Sequence, residues 1–144
     1  MTIKMTEKYK ILAKFSKDIS CETPNLETFL QTKENISKYQ LNLDINSKPL
    51  KNEIIEINII LKFHETNLER KRSNFEITYT VIAKVDKNIT DKKEMEKIIL
   101  GKIPNEVYPE LENLFISLIT KSGFPDVKIE KKVDFEKLYN EKFN

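Results

Sequence analysis

The sequence predicts an α+β domain, a four-stranded antiparallel sheet followed by helices. Three observations carry that prediction. Apolar residues recur at every second position in four separate segments before residue 86, the spacing of strands with one buried face. Beyond residue 86 the spacing becomes that of amphipathic helices. The chain has 144 residues, which suits one domain of roughly 100–200 residues. That length can bury about two-thirds of the unfolded surface without a staple. Strands first and helices after, in a single unit over residues 1–144, is the α+β pattern.

The first strand sets Tyr9, Ile11, Ala13, Phe15, Ile19 and Cys21 on one parity. Lys10, Lys14, Asp18, Ser20 and Glu22 hold the other. Thr23-Pro24-Asn25 stops it, because proline cannot donate a ladder bond. The second strand alternates Tyr39, Leu41, Leu43 and Ile45 with Lys38, Gln40, Asn42 and Asp44, and Asn46–Asn52, carrying Pro49, reads as the loop after it. The third sets Ile55, Ile57, Ile59, Leu61 and Phe63 against Glu56, Asn58, Lys62 and His64. A polar loop, Glu65–Asn74, then leads to Phe75, Ile77, Tyr79, Val81, Ala83 and Val85 of the fourth strand, alternating with Glu76, Thr78, Thr80 and Lys84. The run Glu69-Arg70-Lys71-Arg72 inside that loop reads as a solvated hairpin tip.

The helical part opens at Asp91-Lys92-Lys93-Glu94, which resembles a capping box, and continues through Met95, Ile98 and Ile99. A second helix is expected to open at Pro109, a residue suited to a first helical position. Its stripe is Leu111, Leu114, Phe115, Leu118 and Ile119, and Gly123 is its stop. A last helix takes Asp134 as N-cap and sets Phe135, Leu138 and Tyr139 on one face. No repeat, linker or low-complexity block interrupts the chain.

Composition excludes several function classes. One cysteine, Cys21, leaves no internal disulfide framework and no Cys-rich zinc site. The two glycines, Gly101 and Gly123, lie too far apart for a phosphate-cradling loop. A net charge of +2 is too balanced to argue for a nucleic-acid or membrane surface. Met1–Lys10 has lysines but no apolar run behind them, so no signal peptide is expected. Apolar stretches such as Leu114–Ile119 fall far short of the ~18 residues that span a bilayer. A cytoplasmic protein with a reduced thiol fits best.

Catalysis finds no constellation either. His64 is the only histidine, on the polar parity near a strand end, and no nucleophile or orienting partner is nominated for it. Cys21 follows the apolar parity and reads as an inert thiol. The carboxylates show no metal-loop spacing. No catalytic residue, cofactor or metal is therefore expected. What stands out is apolar surface that four strands and three short helices do not all cover, and such surface usually meets a partner or another copy.

Several motifs then fall in an order that resembles one family. Lys17-Asp18-Ile19-Ser20-Cys21-Glu22-Thr23-Pro24-Asn25 resembles the KDISFExPN signature that opens the SecB family of bacterial export chaperones. Phe75-Glu76-Ile77-Thr78-Tyr79 resembles the start of its fourth strand, and Pro104-Asn105-Glu106-Val107-Tyr108-Pro109 its CPxxLFP turn into the long helix. Gly123-Phe124-Pro125 and Asp134-Phe135-Glu136-Lys137-Leu138-Tyr139 resemble its GFP and DFxxLY elements. Cys21 stands where the family usually has phenylalanine, Ile103 where it has cysteine, and the pI near 8.5 contrasts with the family's acidic habit.

The resemblance implies a homotetramer, a dimer of dimers, that binds unfolded preproteins and delivers them to the SecA translocase ATPase. It implies no enzymatic activity, no cofactor and no insertion into the membrane. Asp18, Glu22, Asn74 and Glu76 match the positions that contact the zinc-bearing tail of SecA. Tyr39, Leu41 and Leu43 match the client groove, and Phe75, Ile77 and Tyr79 match positions that join subunits. Two rival readings remain. One is a SecB-like chaperone dedicated to a single client such as an antitoxin. The other is a basic nucleic-acid-binding module using Arg70, Lys71 and Arg72, which would show salt-dependent binding.

Overall fold

The computed structural model describes residues 8–65, 73–129 and 132–143. The basic run with Arg70, Lys71 and Arg72 lies outside the described residues. Strands β1 (Tyr9–Cys21), β2 (Gln40–Pro49), β3 (Ile54–His64) and β4 (Phe75–Val85) form one antiparallel sheet in the order β1-β4-β3-β2. The expected α+β class and four-stranded sheet are present. Alternation decides which face is covered. Ile57, Ile59 and Leu61 of β3 and Phe75, Ile77, Val81 and Ala83 of β4 are buried on one face. Helix α3 (Ile103–Lys121) joins the same core through Val107, Leu111, Phe115 and Ile119. The other face of the sheet carries no helix and is called the open face below.

β2 runs further than expected. It reaches Pro49, placed where only an edge strand tolerates a residue without an N–H. The turn that follows holds Asn52 at φ 63° and Glu53 at φ 59°.

β1 departs more deeply from its expected alternation. Its register against β4 shifts between Ile11 and Ala13 and again between Ser16 and Asp18, so Leu12 and Lys17 are extra residues. Each bulge inserts one residue and inverts the alternation beyond it. Ile11 and Ile19 oppose Ala83 and Ile77 on the covered face, but Ala13 and Phe15 oppose Ile82 and Thr80 on the open face. Lys14 and Ser16 take their place, opposite Val81 and Tyr79. Six apolar residues of one parity thus do not share one face.

Residues 26–38, unread in the sequence, form α1 (Leu26–Asn35) and a short 3₁₀ turn, Ile36–Lys38. Asn25 caps α1 by accepting the Thr28 N–H at 2.8 Å. Its fully buried residues are polar, with Phe29 beside them packed on Phe124. Thr28 and Thr32 point inward, and Thr32 Oγ1 donates to the Thr28 carbonyl and accepts the Ser73 N–H at 3.0 Å.

Two helices expected as separate are one rod. α2 (Lys92–Lys97) passes through a π segment, Ile98–Lys102, directly into α3. Pro109 therefore sits inside α3 rather than at its start, and Pro104 occupies the first turn. Pro109 gives up a bond to the carbonyl of Asn105. Asp91 caps α2 as expected, accepting the Lys93 N–H at 3.1 Å, while Glu94 reaches Lys8 instead of closing a capping box. Gly123 stops α3 at φ 106°, with the Phe124 N–H bonded to the Ile119 carbonyl and the Gly123 N–H to that of Thr120. A Cβ on Gly123 would meet the Phe29 ring at 2.6 Å, so sterics as well as backbone demand glycine. No helix among the described residues is long and apolar enough to cross a membrane.

Candidate functional site

β2 is an edge strand, so one side of its backbone lacks a partner strand among the described residues. Its apolar row faces the helix side, with Leu41 opposite Phe63, Leu43 opposite Leu61 and Ile45 opposite Ile59. α3 covers the middle of the sheet and leaves this border to the segment after it. Val127, Ile129 and Val133 turn toward the core, while Lys128 and Lys132 between them point outward and are exposed. Helix α4 (Phe135–Phe143) closes the far wall.

A groove of about 810 Å³ results, floored by Tyr39, Leu41, Leu43, Phe63 and Phe115. The aromatic floor is closely packed: the Tyr39 and Phe63 rings lie tilted with centroids 5.1 Å apart, and Phe63 and Phe115 meet edge-to-face at 5.2 Å. Tyr39 is almost entirely buried and donates its hydroxyl to the Ser73 carbonyl. Leu41 and Leu43 are half-buried. A second groove of about 500 Å³ continues past Leu43 and Leu138, over Ile45 and Leu100. Val127, Ile129, Val133 and Leu138 were not singled out from the sequence as groove residues. The alternation Val127-Lys128-Ile129 is a signal for part of the wall, but it is only three residues long.

One side chain, Asn105, ties down the start of α4. Asn105 accepts the Phe135 N–H at 2.7 Å and donates to Asp134 at 3.1 Å and Glu136 at 3.3 Å. Asp134 caps α4 as expected, and the Asn105 bond, followed by the Lys137 N–H, holds its carboxyl below the usual range. Gly101 in the π segment lets α4 approach closely, since a Cβ there would sit 3.1 Å from Glu136 Cγ. Phe135 and Tyr139 are buried, but Leu138 is 50% exposed and lies on the groove side instead of the core. The Tyr108 ring meets Phe135 edge-on at 5.4 Å, and burial pushes its hydroxyl up to about 12, with Glu112 adding to the shift.

The acidic residues matched to SecA contact gather at one end of the β1–β4 ribbon. Ser20 opposes Glu76 and Asp18 opposes Thr78, so Asp18 and Glu76 share the open face. Glu22 follows and Asn74 precedes the last pair, Cys21 and Phe75, and both are exposed. Further along the same face, Thr80 donates to Asn58 at 2.7 Å and Asn58 to Asn46 at 2.9 Å. Asn58 also donates to Glu56, which, ahead of Lys17, draws the Glu56 carboxyl below its ordinary value.

The residues matched to subunit contact are divided. Phe75 and Ile77 are at most 1% exposed and have no surface to offer a second subunit. Tyr79 is partly exposed and donates to Glu110 at 2.8 Å, and Lys14 pairs with the other oxygen of that carboxylate. Desolvation, then the Glu110 bond, pushes the Tyr79 hydroxyl up to about 12. Ile19 of β1, opposite Ile77, is 46% exposed.

The two side chains considered for catalysis are in structural contacts. His64 Nε2 lies 2.9 Å from Asn42 Nδ2, and Cys21 Sγ lies 3.4 Å from Ser122 Oγ, partly buried. Among the described residues no group of three or more His, Cys, Asp or Glu could hold a metal ion.

Comparison with known proteins agrees with the geometry. A family model described as preprotein translocase subunit SecB matches residues 3–144. A chain of Pelagibacter ubique (strain HTCC1062), described as protein-export protein SecB, is 54% identical over 140 residues, covering 97% of this chain and all of the relative. The protein-export protein SecB of Beijerinckia indica is 23% identical over 133 residues, covering 92% of this chain and 81% of its own. Among solved structures, a SecB-like chaperone of Mycobacterium tuberculosis in complex with a ChAD peptide from the HigA1 antitoxin superposes with a TM-score of 0.62. It is 10% identical and covers 88% of both chains, so the likeness is one of fold.

Proposed function

The chain belongs to the SecB family of protein-export chaperones, and from that premise we propose that it binds unfolded preproteins along β2 and hands them to SecA in the cytoplasm. One observation carries the reading. An apolar, aromatic-floored groove runs beside an edge strand whose outer side has no partner strand among the described residues. An extended chain laid there gains main-chain bonds without sequence demands, and its side chains enter the groove. That combination suits many unrelated clients.

The experiment is Leu41→Arg. Leu41 is half-buried on the groove floor, and its loss removes about 1.5 kcal/mol of apolar contact, roughly tenfold in affinity. Capture of an unfolded preprotein should weaken by that factor while the circular dichroism spectrum stays native. Unaltered capture would remove the groove from the mechanism.

Delivery to SecA uses the acidic end of the open face. Carboxylates at Asp18, Glu22 and Glu76 suit a basic partner, since complementary charge steers encounter and fixes register. Asp18→Asn with Glu76→Gln should lower the affinity for the SecA tail and its salt sensitivity, leaving client capture intact. Absence of wild-type binding to the tail at low salt would favour a chaperone dedicated to one client. In the homotetramer, Tyr79 with its Glu110 and Lys14 partners supplies part of the subunit contact.

A further inference from the structure

We propose that Asn105, a residue outside the groove, sets the groove's width and thereby the size of client side chain that it admits. The inference rests on the client-binding reading above and adds what decides which segments fit. The two walls are held differently. The sheet side is fixed by its strand ladder, whereas the far wall ends on α4, a helix of nine residues. A helix shorter than about 12–15 residues is marginal on its own in water, so α4 keeps its place through what it docks on.

Phe135 and Tyr139 supply the apolar part of that docking, and Tyr139 donates its hydroxyl to Glu96 at 3.0 Å. Apolar contact is non-directional and does not by itself fix where the first turn sits. Asn105 does. Its carbonyl oxygen accepts the Phe135 N–H, and its amide nitrogen donates to the carboxylates on either side, Asp134 and Glu136. A side-chain amide offers an acceptor and two donors without a charge, which is what these three successive residues take. Gly101 sets the distance. A Cβ there would lie 3.1 Å from Glu136 Cγ and 3.3 Å from its Cα, so the rod and α4 touch at the level of the backbone. Asn105 lines neither half of the groove, but Leu138 lines both, and Val133 and Lys137 line the larger. These wall residues directly flank the segment 134–136 that Asn105 holds. Asn105 is therefore a positioning residue, acting on the client through the wall.

The test uses the full-length protein and uncharged fluorescent peptides whose six-residue cores differ only in carrying leucine or tryptophan at alternate positions. Asn105→Ala frees the first turn of α4. Where the wall is docked in only about a tenth of the molecules, a ligand that needs it binds about tenfold more weakly. The leucine peptide should lose that factor. The tryptophan peptide, whose larger rings bridge a wider gap, should lose about twofold or less, so its relative affinity rises about fivefold. Gly101→Ala pushes the same helix away without removing a bond and should shift the ratio in the same direction by about twofold to threefold. Asn105→Asp with Asp134→Asn exchanges carboxylate and amide. The Phe135 N–H keeps an acceptor, the pair keeps its hydrogen bond, and asparagine caps a helix as well as aspartate does. The ratio should then return to within about twofold of wild type. Ile57→Val, a change in the buried core outside both grooves, destabilises the fold without touching the wall and should leave the ratio as it was. A ratio unmoved by Asn105→Ala and Gly101→Ala, or moved as far by Ile57→Val, would overturn the proposal and spare the groove. Should Asn105→Ala not fold, Gly101→Ala and the exchanged pair decide in the same way. Failure of wild type to bind either peptide would overturn the groove reading and this inference with it.

Discussion

β1 and β2 both border the sheet, each bonded on one side only, yet their registers differ. β2 keeps an unbroken pairing with β3 from Gln40 to Pro49, and β1 shifts twice within thirteen residues. The shifts bring Lys14 to the covered face and Phe15 to the open one, and they place Lys17 in the second bulge. Bulges and lysines are the devices by which sheet edges avoid recruiting another strand. β1 uses both. Over residues 40–45 β2 has neither, and this is the stretch beside the groove. Under the function proposed above, the edge is left open where an extended client would lie and is interrupted elsewhere.

Removing one residue from each edge tests the contrast most severely. Deleting Asp44 shifts β2 by one and turns Tyr39, Leu41 and Leu43 to the open face. At about 1.5–3 kcal/mol for each buried side chain, the loss should reach roughly 3–5 kcal/mol even after discounting for partial burial. Deleting Leu12 removes only an extra residue and leaves the faces on either side unchanged, so it should cost about 1 kcal/mol or less. Urea denaturation of the two variants measures the difference. Equal losses would mean that the bulge is as essential as the regular register.

A smaller effect is expected where β1 and β4 meet α3. Tyr79→Ala removes a partly exposed ring and its bond to Glu110, a loss of about 1–2 kcal/mol. Light scattering at micromolar concentration should then show dimers in place of tetramers. A variant that remains tetrameric with unchanged stability would move the interface away from Tyr79.

The smallest effect is a pH dependence at the same place. Lys14 first and Tyr79 second hold the Glu110 carboxyl below its ordinary value of 4.5. A lowered carboxylate contributes stability above its unfolded pKa and loses it as pH falls through the folded one. Glu110 is nearly half exposed, so solvent screening keeps the increment to a few tenths of a kcal/mol. The melting temperature of wild type should exceed that of Glu110→Gln at pH 7, and the gap should close as pH drops below 4.5. A gap that persists at pH 3 would assign the effect to packing instead.

The central strands were legible in the sequence because one face of β3 and β4 is dry and the other is not. β1 was not, since a bulge leaves no mark in a parity count and Phe15 looks the same on either face. α1 was invisible for the opposite reason. Its fully buried residues are Thr28 and Thr32, with the Thr32 hydroxyl bonded to the Thr28 carbonyl and the Ser73 N–H, while Leu26 stands 70% exposed. Phe29 is the one apolar residue of α1 that packs on the core, too little to make a stripe. Pro109 suggested a helix start because proline usually marks one, and its interior place depends on a rod that begins before the π segment. Of the groove, the row Tyr39, Leu41, Leu43 could be read from alternation. Its far wall was not read as such, because the alternation Val127-Lys128-Ile129 is only three residues long.

Ser73 ties together parts of the chain that are far apart in sequence. Thr23, Thr32 and Tyr39 each bond to it, across 50, 41 and 34 residues. Contacts of such separation close long loops and come late in folding. During synthesis the end of β1, all of α1 and the start of β2 leave the ribosome before their common anchor exists. Until residue 73 arrives, β2, the strand proposed above to hold unfolded chains, is itself part of one.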